Sequence, residues 1–204
     1  MGRVSDAKER LIEAVQELIW TGSYGSTTID HICEKSGVKK GSFYYFFESK
    51  ADLAVAALDA QLQKKRAEMD SIFSPTVPPL GRITNFCEAA YQKQAQMKKE
   101  CGYVLGCPLF ALGAEVSTQE QKLRSKIQEL LAWHSKYFES AIREAHASGL
   151  IHAPDAAAKA RMLGAYFEGM LTQARIQNNV ELLREVPQGV FAILGVKESE
   201  AVAA

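Results

Sequence analysis

Apolar residues recur at helical spacing along almost the whole chain, and this periodicity is the feature that most restricts the fold. One face of a first helix is marked by Leu11, Ile12, Val15, Leu18 and Ile19. A segment from Leu163 to Ala174 repeats the same intervals of three and four residues. The two-residue alternation that is typical of a strand is not convincing anywhere. The sequence therefore predicts an all-α protein of about nine helices.

Composition limits the classes of partner and site. The chain has 204 residues, with 24 Lys and Arg against 24 Asp and Glu, so its formal net charge is zero. A polybasic nucleic-acid binder is excluded, and any such contact must come from a local cluster of charge. The four cysteines form no CxxC pair, and the four histidines show no ligand spacing, so we predict no metal and no cofactor. The charged helical pattern at the N-terminus predicts a cytoplasmic protein.

Residues 5–48 have the pattern of three short helices. Glycines end the first helix, and Thr27-Thr28-Ile29-Asp30 is a capping box that predicts the start of the second. A turn of a few residues, Val38 to Ser42, separates the second helix from the third. A second capping box, Ser49 to Asp52, predicts the start of a long helix that ends near Ile72. Two short helices joined by a tight turn are the outline of a helix-turn-helix.

The third helix carries five consecutive aromatic residues, Phe43-Tyr44-Tyr45-Phe46-Phe47. A helix turns by about 100° per residue, so the five cannot all face one core. Phe43 and Phe47, four residues apart, are the predicted core pair. Tyr44 and Tyr45 then point away, with hydroxyls suited to a phosphate or a base edge. Partial exposure without any function is the plainer interpretation.

Charge is concentrated around the same helix. Between Lys35 and Lys50 there are four lysines and one acid, Glu48. DNA binding requires cations that release counterions from phosphates. A solvated turn beside a small aromatic core explains the same cluster without any function.

These features together resemble the DNA-binding domain of the tetracycline repressor (TetR) family, over residues 27–53. The shared pattern comprises a threonine opening the second helix, Ser36-Gly37-Val38, Lys39-Lys40-Gly41-Ser42, the aromatic block, and Ser49-Lys50 before Asp52-Leu53. Cys33 and Ser36 replace alanines that are common in the family, and Lys39 replaces a serine. Phe46 stands where histidine or tyrosine is frequent, which removes one polar contact with DNA.

The resemblance implies two domains and a set of contacts. Residues 1–48 would be the DNA-binding head, and residues 49–204 a regulatory domain that binds a ligand and forms a dimer. Tyr44 and Lys50 would contact phosphate, while Thr28 and Ser42 would donate hydroxyls. Lys40, Gly41 and Tyr45 would face the major groove, where lysine reads guanine, and Lys39 would add a charge.

For the regulatory domain, the resemblance implies a small-molecule pocket and an interface. Candidate pocket residues are aromatic or sulfur-containing side chains: Phe86, Cys107, Phe110, Trp133, Tyr137, Phe167 and Met170. Candidate dimer contacts lie on the last two amphipathic helices: Leu163, Phe167, Leu171, Leu183, Val190 and Phe191. Gly164 and Gly169 would allow close helix approach. Ordinary core packing is the alternative for both sets.

The sequence thus predicts a transcriptional regulator, most often a repressor, that a small-molecule effector releases from a palindromic operator. A homodimer would place two heads one DNA turn apart, and the helix from Lys50 to Ile72 would carry the change between domains. One alternative is a redox- or electrophile-sensing regulator that uses Cys107 at a helix start. An enzyme with a Cys107 nucleophile, and a helical adaptor without DNA binding, are the remaining alternatives.

Overall fold

The computed structural model describes residues 2–196, with side chains from residue 6 onward; residues 197–204 of the predicted regulatory domain lie outside this range. The described chain forms nine α-helices and one 3-10 helix, without strands, so the all-α prediction is confirmed. The helices are α1 (Gly2–Thr21), α2 (Ile29–Ser36), α3 (Lys40–Phe46), α4 (Lys50–Ile72), α5 (Pro79–Cys101), α6 (Pro108–Val116), α7 (Gln121–Ala147), α8 (Ala156–Ile176), the 3-10 helix (Val180–Glu185) and α9 (Val186–Leu194).

The chain divides into two compact units, and the division falls inside α4 and inside α7. The first unit comprises residues up to 66 together with 108–130. It therefore holds all of the predicted head and, in addition, α6. Its core joins α1, α2, α3 and α4 around Leu11, Ile32, Phe43 and Leu53, none of which has measurable exposure. The head boundary near residue 48 stays a prediction.

The second unit comprises residues 67–107 and the chain from 131 onward. Its larger core draws on α5, α7, α8, the 3-10 helix and α9. Ile83, Ile142, Leu163 and Leu194 are among its most deeply buried side chains. Several aromatic rings pack edge to face inside it, Phe86 against Phe138 at 4.9 Å among them.

The last amphipathic segment divides into two elements, the 3-10 helix and α9. Pro187 lies in the first turn of α9, where its missing N–H leaves no helical hydrogen bond unmade. Among the described residues, no helix combines the length and the apolar character that a membrane span requires.

Candidate functional site

The turn between α2 and α3 is built by local hydrogen bonds. Thr28 caps α2, its Oγ accepting from the His31 N–H at 3.1 Å. Gly37 ends α2 with a φ of +64°, a left-handed conformation that suits glycine. Asp30 was expected to close the capping box, but its carboxylate pairs instead with the Lys40 ammonium at 2.8 Å. The turn and its threonine cap are confirmed, and the reciprocal Asp30 bond is wrong.

The aromatic block divides as its helical spacing predicts. Phe43 and Phe47 are buried, with ring centroids 6.0 Å apart. The side chain of Tyr44 is 53% exposed and that of Tyr45 is 74% exposed. The buried pair fixes α3 on the core, so the two tyrosines stand on its outer face in fixed positions.

Most of the polar residues predicted to contact DNA are exposed like these tyrosines. Thr28, Lys39, Gly41 and Ser42 are exposed, as is Lys40. The hydrogen bond that Lys40 donates to the Asp30 carboxylate raises the pKa of Lys40. The outer face of α3 therefore offers hydroxyls, a glycine backbone and cations at one surface, and the role of each residue stays a prediction.

Lys50 is placed differently from the other candidates. Its ammonium donates to the Tyr24 and Thr27 carbonyls, each at 2.7 Å, and lies 3.9 Å from the centre of the Tyr24 ring. Burial lowers the pKa of Lys50. Lys35 is also paired, with Glu17 at 2.7 Å. A phosphate contact by Lys50 would have to share its ammonium with two carbonyls, and the local excess of positive charge is smaller than the count of lysines suggests.

A cleft in the second unit brings two of the predicted pocket residues together. Trp133 and Tyr137 line it with Phe73, and its volume is about 350 Å³. Arg82, Lys136 and Ser140 complete its lining. Aromatic walls with a few polar groups are the usual lining of a small-molecule site, and the volume lies at the lower end of the usual range.

The other predicted pocket residues are more scattered. Phe86 and Phe167 are buried with ring centroids 5.0 Å apart, and Met170 packs on the same core. Cys107 is half-buried, outside any disulfide, and immediately precedes α6. Phe110 belongs to α6 in the first unit and is partly exposed. None of these five lines the cleft of Trp133 and Tyr137.

The predicted dimer residues are mostly interior. Leu163, Phe167, Leu171, Leu183 and Val190 are buried within the chain, and Phe191 is half-buried. Buried side chains have almost no surface to offer a partner, whereas exposed residues of the same helices do, and the dimer contacts stay a prediction. On α8 these include Met162, 52% exposed, and Ile176, 73% exposed.

Three polar side chains that shape the second unit could not be recognised from the sequence pattern. Arg82 is only 3% exposed; it donates to the Val77 carbonyl at 2.8 Å and pairs with Glu144 at 2.8 Å. Gln94 accepts from the N–H groups of Leu105 and Gly106 at 3.1 and 2.9 Å. Asn178 bonds Val104 and Gly102. An Arg or Gln in an apolar stripe is the only sequence signal for such residues.

Comparison with known proteins agrees with this geometry. Residues 11–57 match the model of the tetR family of bacterial regulatory proteins. Residues 79–190, more than half of the chain, match the model of a tetracyclin repressor-like C-terminal domain.

Individual relatives point the same way. The transcriptional regulator AcuR of Cereibacter sphaeroides is 30% identical, over 84% of this chain and 77% of its own. An uncharacterized HTH-type transcriptional regulator of Lactococcus lactis is 27% identical, over 62% of this chain and 63% of its own length. The crystal structure of a regulatory protein TetR from Rhodobacter sphaeroides superposes with a TM-score of 0.82 at 26% identity, covering 92% of this chain and 98% of that one. The chain belongs to the TetR family of helix-turn-helix transcriptional regulators.

Proposed function

We propose that this regulator is a homodimer that represses transcription from an inverted-repeat operator and releases the operator when a small molecule binds. The observation that carries the proposal is the outer face of α3, where Tyr44 and Tyr45 are exposed on a helix anchored by Phe43. A rigid helix with exposed hydroxyls and cations can enter a major groove. Because the proposed target is DNA, we also propose that the protein acts in the cytoplasm and is not an enzyme.

Dimerisation is proposed through the exposed faces of α8 and α9. Met162 and Ile176 are large apolar side chains in solvent. Apart from its own helical neighbours, a Cβ at Gly164 or Gly169 would meet no described atom within 4 Å, which leaves room for a partner helix. Pairing of two heads is required because one helix-turn-helix contacts too few base pairs to be specific. Ile176→Glu is expected to shift the sedimenting species toward the monomer.

The aromatic cleft is the proposed effector site. Trp133 and Tyr137 form its wall, with ring centroids 5.2 Å apart. An effector that binds the cleft more tightly in one conformation shifts the population toward it, and α4 links the two units through the chain. We favour this cleft over a Cys107 thiol switch, because the cleft has both the volume and the lining of a ligand site.

Selection of bound duplexes from a random pool tests the proposal. An inverted repeat should emerge, and its affinity should fall steeply with salt. Tyr44→Phe should then weaken binding to every duplex, because it removes a hydroxyl from the α3 surface. Tyr103→Phe is the matched control, since Tyr103 is 65% exposed in the second unit. Recovery of no inverted repeat, or equal effects of the two substitutions, would contradict the proposal.

The effector site has a separate test. Trp20→Phe leaves Trp133 as the sole tryptophan, so its emission reports on the cleft. A compound that changes this emission should also release the selected operator. Release without any change in Trp133 emission would place the effector elsewhere.

A further inference from the structure

Glu115 holds the loop between α1 and α2 by its backbone. Its two carboxylate oxygens accept from the Tyr24 N–H at 2.9 Å and from the Gly25 N–H at 2.6 Å. Glu115 lies in the last turn of α6, 90 residues further along the chain than Gly25. Two N–H donors on one carboxylate make a charge-assisted pair of bonds with a defined direction.

Lys50 holds the same loop from its carbonyl side. The ammonium donates to the Tyr24 and Thr27 carbonyls and covers the Tyr24 ring. We call this arrangement of Glu115, Lys50 and residues 24–27 the loop clasp. Burial lowers the pKa of Lys50, while the negative charge of Glu115 acts in the opposite direction and favours the charged ammonium.

The loop clasp controls where α2 begins. Residues 24–27 lead directly into Thr28, the cap of α2. Thr27 is buried, and its hydroxyl donates to the Ser23 carbonyl at 2.7 Å. Side chains of α4 and α6 therefore hold the backbone immediately before the helix pair that carries the DNA surface.

The bond from Gly25 to Glu115 is not needed merely to satisfy a buried donor. Gly25 is exposed, so water could accept from its N–H. The close approach depends on glycine, because a Cβ at residue 25 would lie 2.9 Å from a Glu115 oxygen. The Glu115 carboxylate and Gly25, which leaves space for it, therefore both help to hold the loop in position.

We infer that Glu115 is a positioning residue, which fixes the orientation of the α2–α3 pair toward DNA through the loop clasp. The inference rests on the proposed function, since orientation has a consequence only when two heads bind one duplex. The spacing between the two half-sites is then the property that Glu115 controls, because a tilted head reaches a different base step.

The experiment measures affinity on inverted repeats whose central spacer varies in length. Glu115→Ala removes both bonds, and Gly25→Ala displaces the carboxylate without removing its charge. Glu115→Gln keeps one acceptor oxygen and should lie between the parent and Glu115→Ala. Glu120→Gln is the control for charge. The negative charge of Glu120, like that of Glu115, raises the pKa values of Tyr24 and Lys50.

The parent and Glu120→Gln should share one preferred spacer. Glu115→Ala and Gly25→Ala should bind the duplex with that spacer about tenfold more weakly, the order expected for lost bonds to a charged acceptor. Their affinities for duplexes with different spacers should also differ less than those of the parent. Circular dichroism checks that each variant folds.

A uniform loss on all spacers would show a role in stability alone and would overturn the inference, as would variants that match the parent. Failure of the parent on every inverted repeat would overturn the proposed function and this inference with it. Binding by the parent therefore distinguishes failure of the inference about Glu115 from failure of the proposed function.

Discussion

Gly41→Ala should move fold stability and DNA affinity in opposite directions. Gly41 is the second residue of α3, its φ is not positive, and an added Cβ would meet nothing within 4 Å. Alanine is favoured over glycine by about 1 kcal/mol inside a helix, and by about half of that in a first turn. The free energy of unfolding should therefore rise by about 0.5 kcal/mol, equivalent to about 1–2 °C in melting temperature.

Affinity for DNA should fall in the same variant. The new methyl group stands on the exposed face of α3, where the glycine backbone is predicted to approach the duplex. A methyl group that holds the helix away from the groove weakens the neighbouring contacts as well, and the loss of one good base contact alone costs about tenfold. Thermal melting and fluorescence anisotropy on the selected operator measure the two effects.

Ser125→Ala is the matched control for Gly41→Ala. Ser125 is an exposed position of α7 in the first unit, where alanine is also the better helix former. Its melting temperature should rise by a similar amount, with operator affinity unchanged. A Gly41→Ala variant that is more stable and binds as tightly as the parent would refute the placement of α3 against DNA.

Three further predictions concern the head and the second unit. Thr28→Ala removes the α2 cap and should lower the free energy of unfolding by about 1 kcal/mol, measured by denaturant titration against Ser125→Ala. Lys40→Ala should relax base preference at one position of each half-site in a repeated selection, whereas a uniform loss would indicate a phosphate contact. Arg82 holds the pKa of Glu144 below its ordinary 4.5, so this pair stabilises the fold above that pH and the contribution is lost as pH falls through the lowered value. Glu144→Gln should therefore flatten the acid side of the melting-temperature profile, and an unchanged profile would show that the pair is not responsible.

Local physics made much of the head predictable. The five aromatics divide into a buried pair, an exposed pair and the half-buried Phe46, because a helix turns by a fixed angle per residue. The cap at Thr28 and the left-handed Gly37 follow from the conformations that those residue types favour. These features depend on neighbours within a few residues, which sequence patterns record.

Long-range contacts were not predictable in the same way. Glu115 contacts its loop across 90 residues, and the Lys50 ammonium donates to backbone carbonyls, whereas the resemblance implied a phosphate contact. The dimer contacts stay a prediction, and burial bears on them: periodicity identifies the apolar face of α8, but that face lies in the core of the chain, with Leu163 and Leu171 buried. The interface that we propose uses exposed apolar residues such as Ile176, which depart from the polar pattern of the outer face.

Two copies of α3 are proposed to enter one duplex, and the number of chains bound per duplex tests this arrangement most directly. Sedimentation of the parent with its selected inverted repeat should show an even number of chains per duplex. Moving the half-sites apart by about half a helical turn should abolish the specific complex, because the two heads then face different sides of the DNA. A single chain bound per duplex, or binding indifferent to that spacing, would contradict the account.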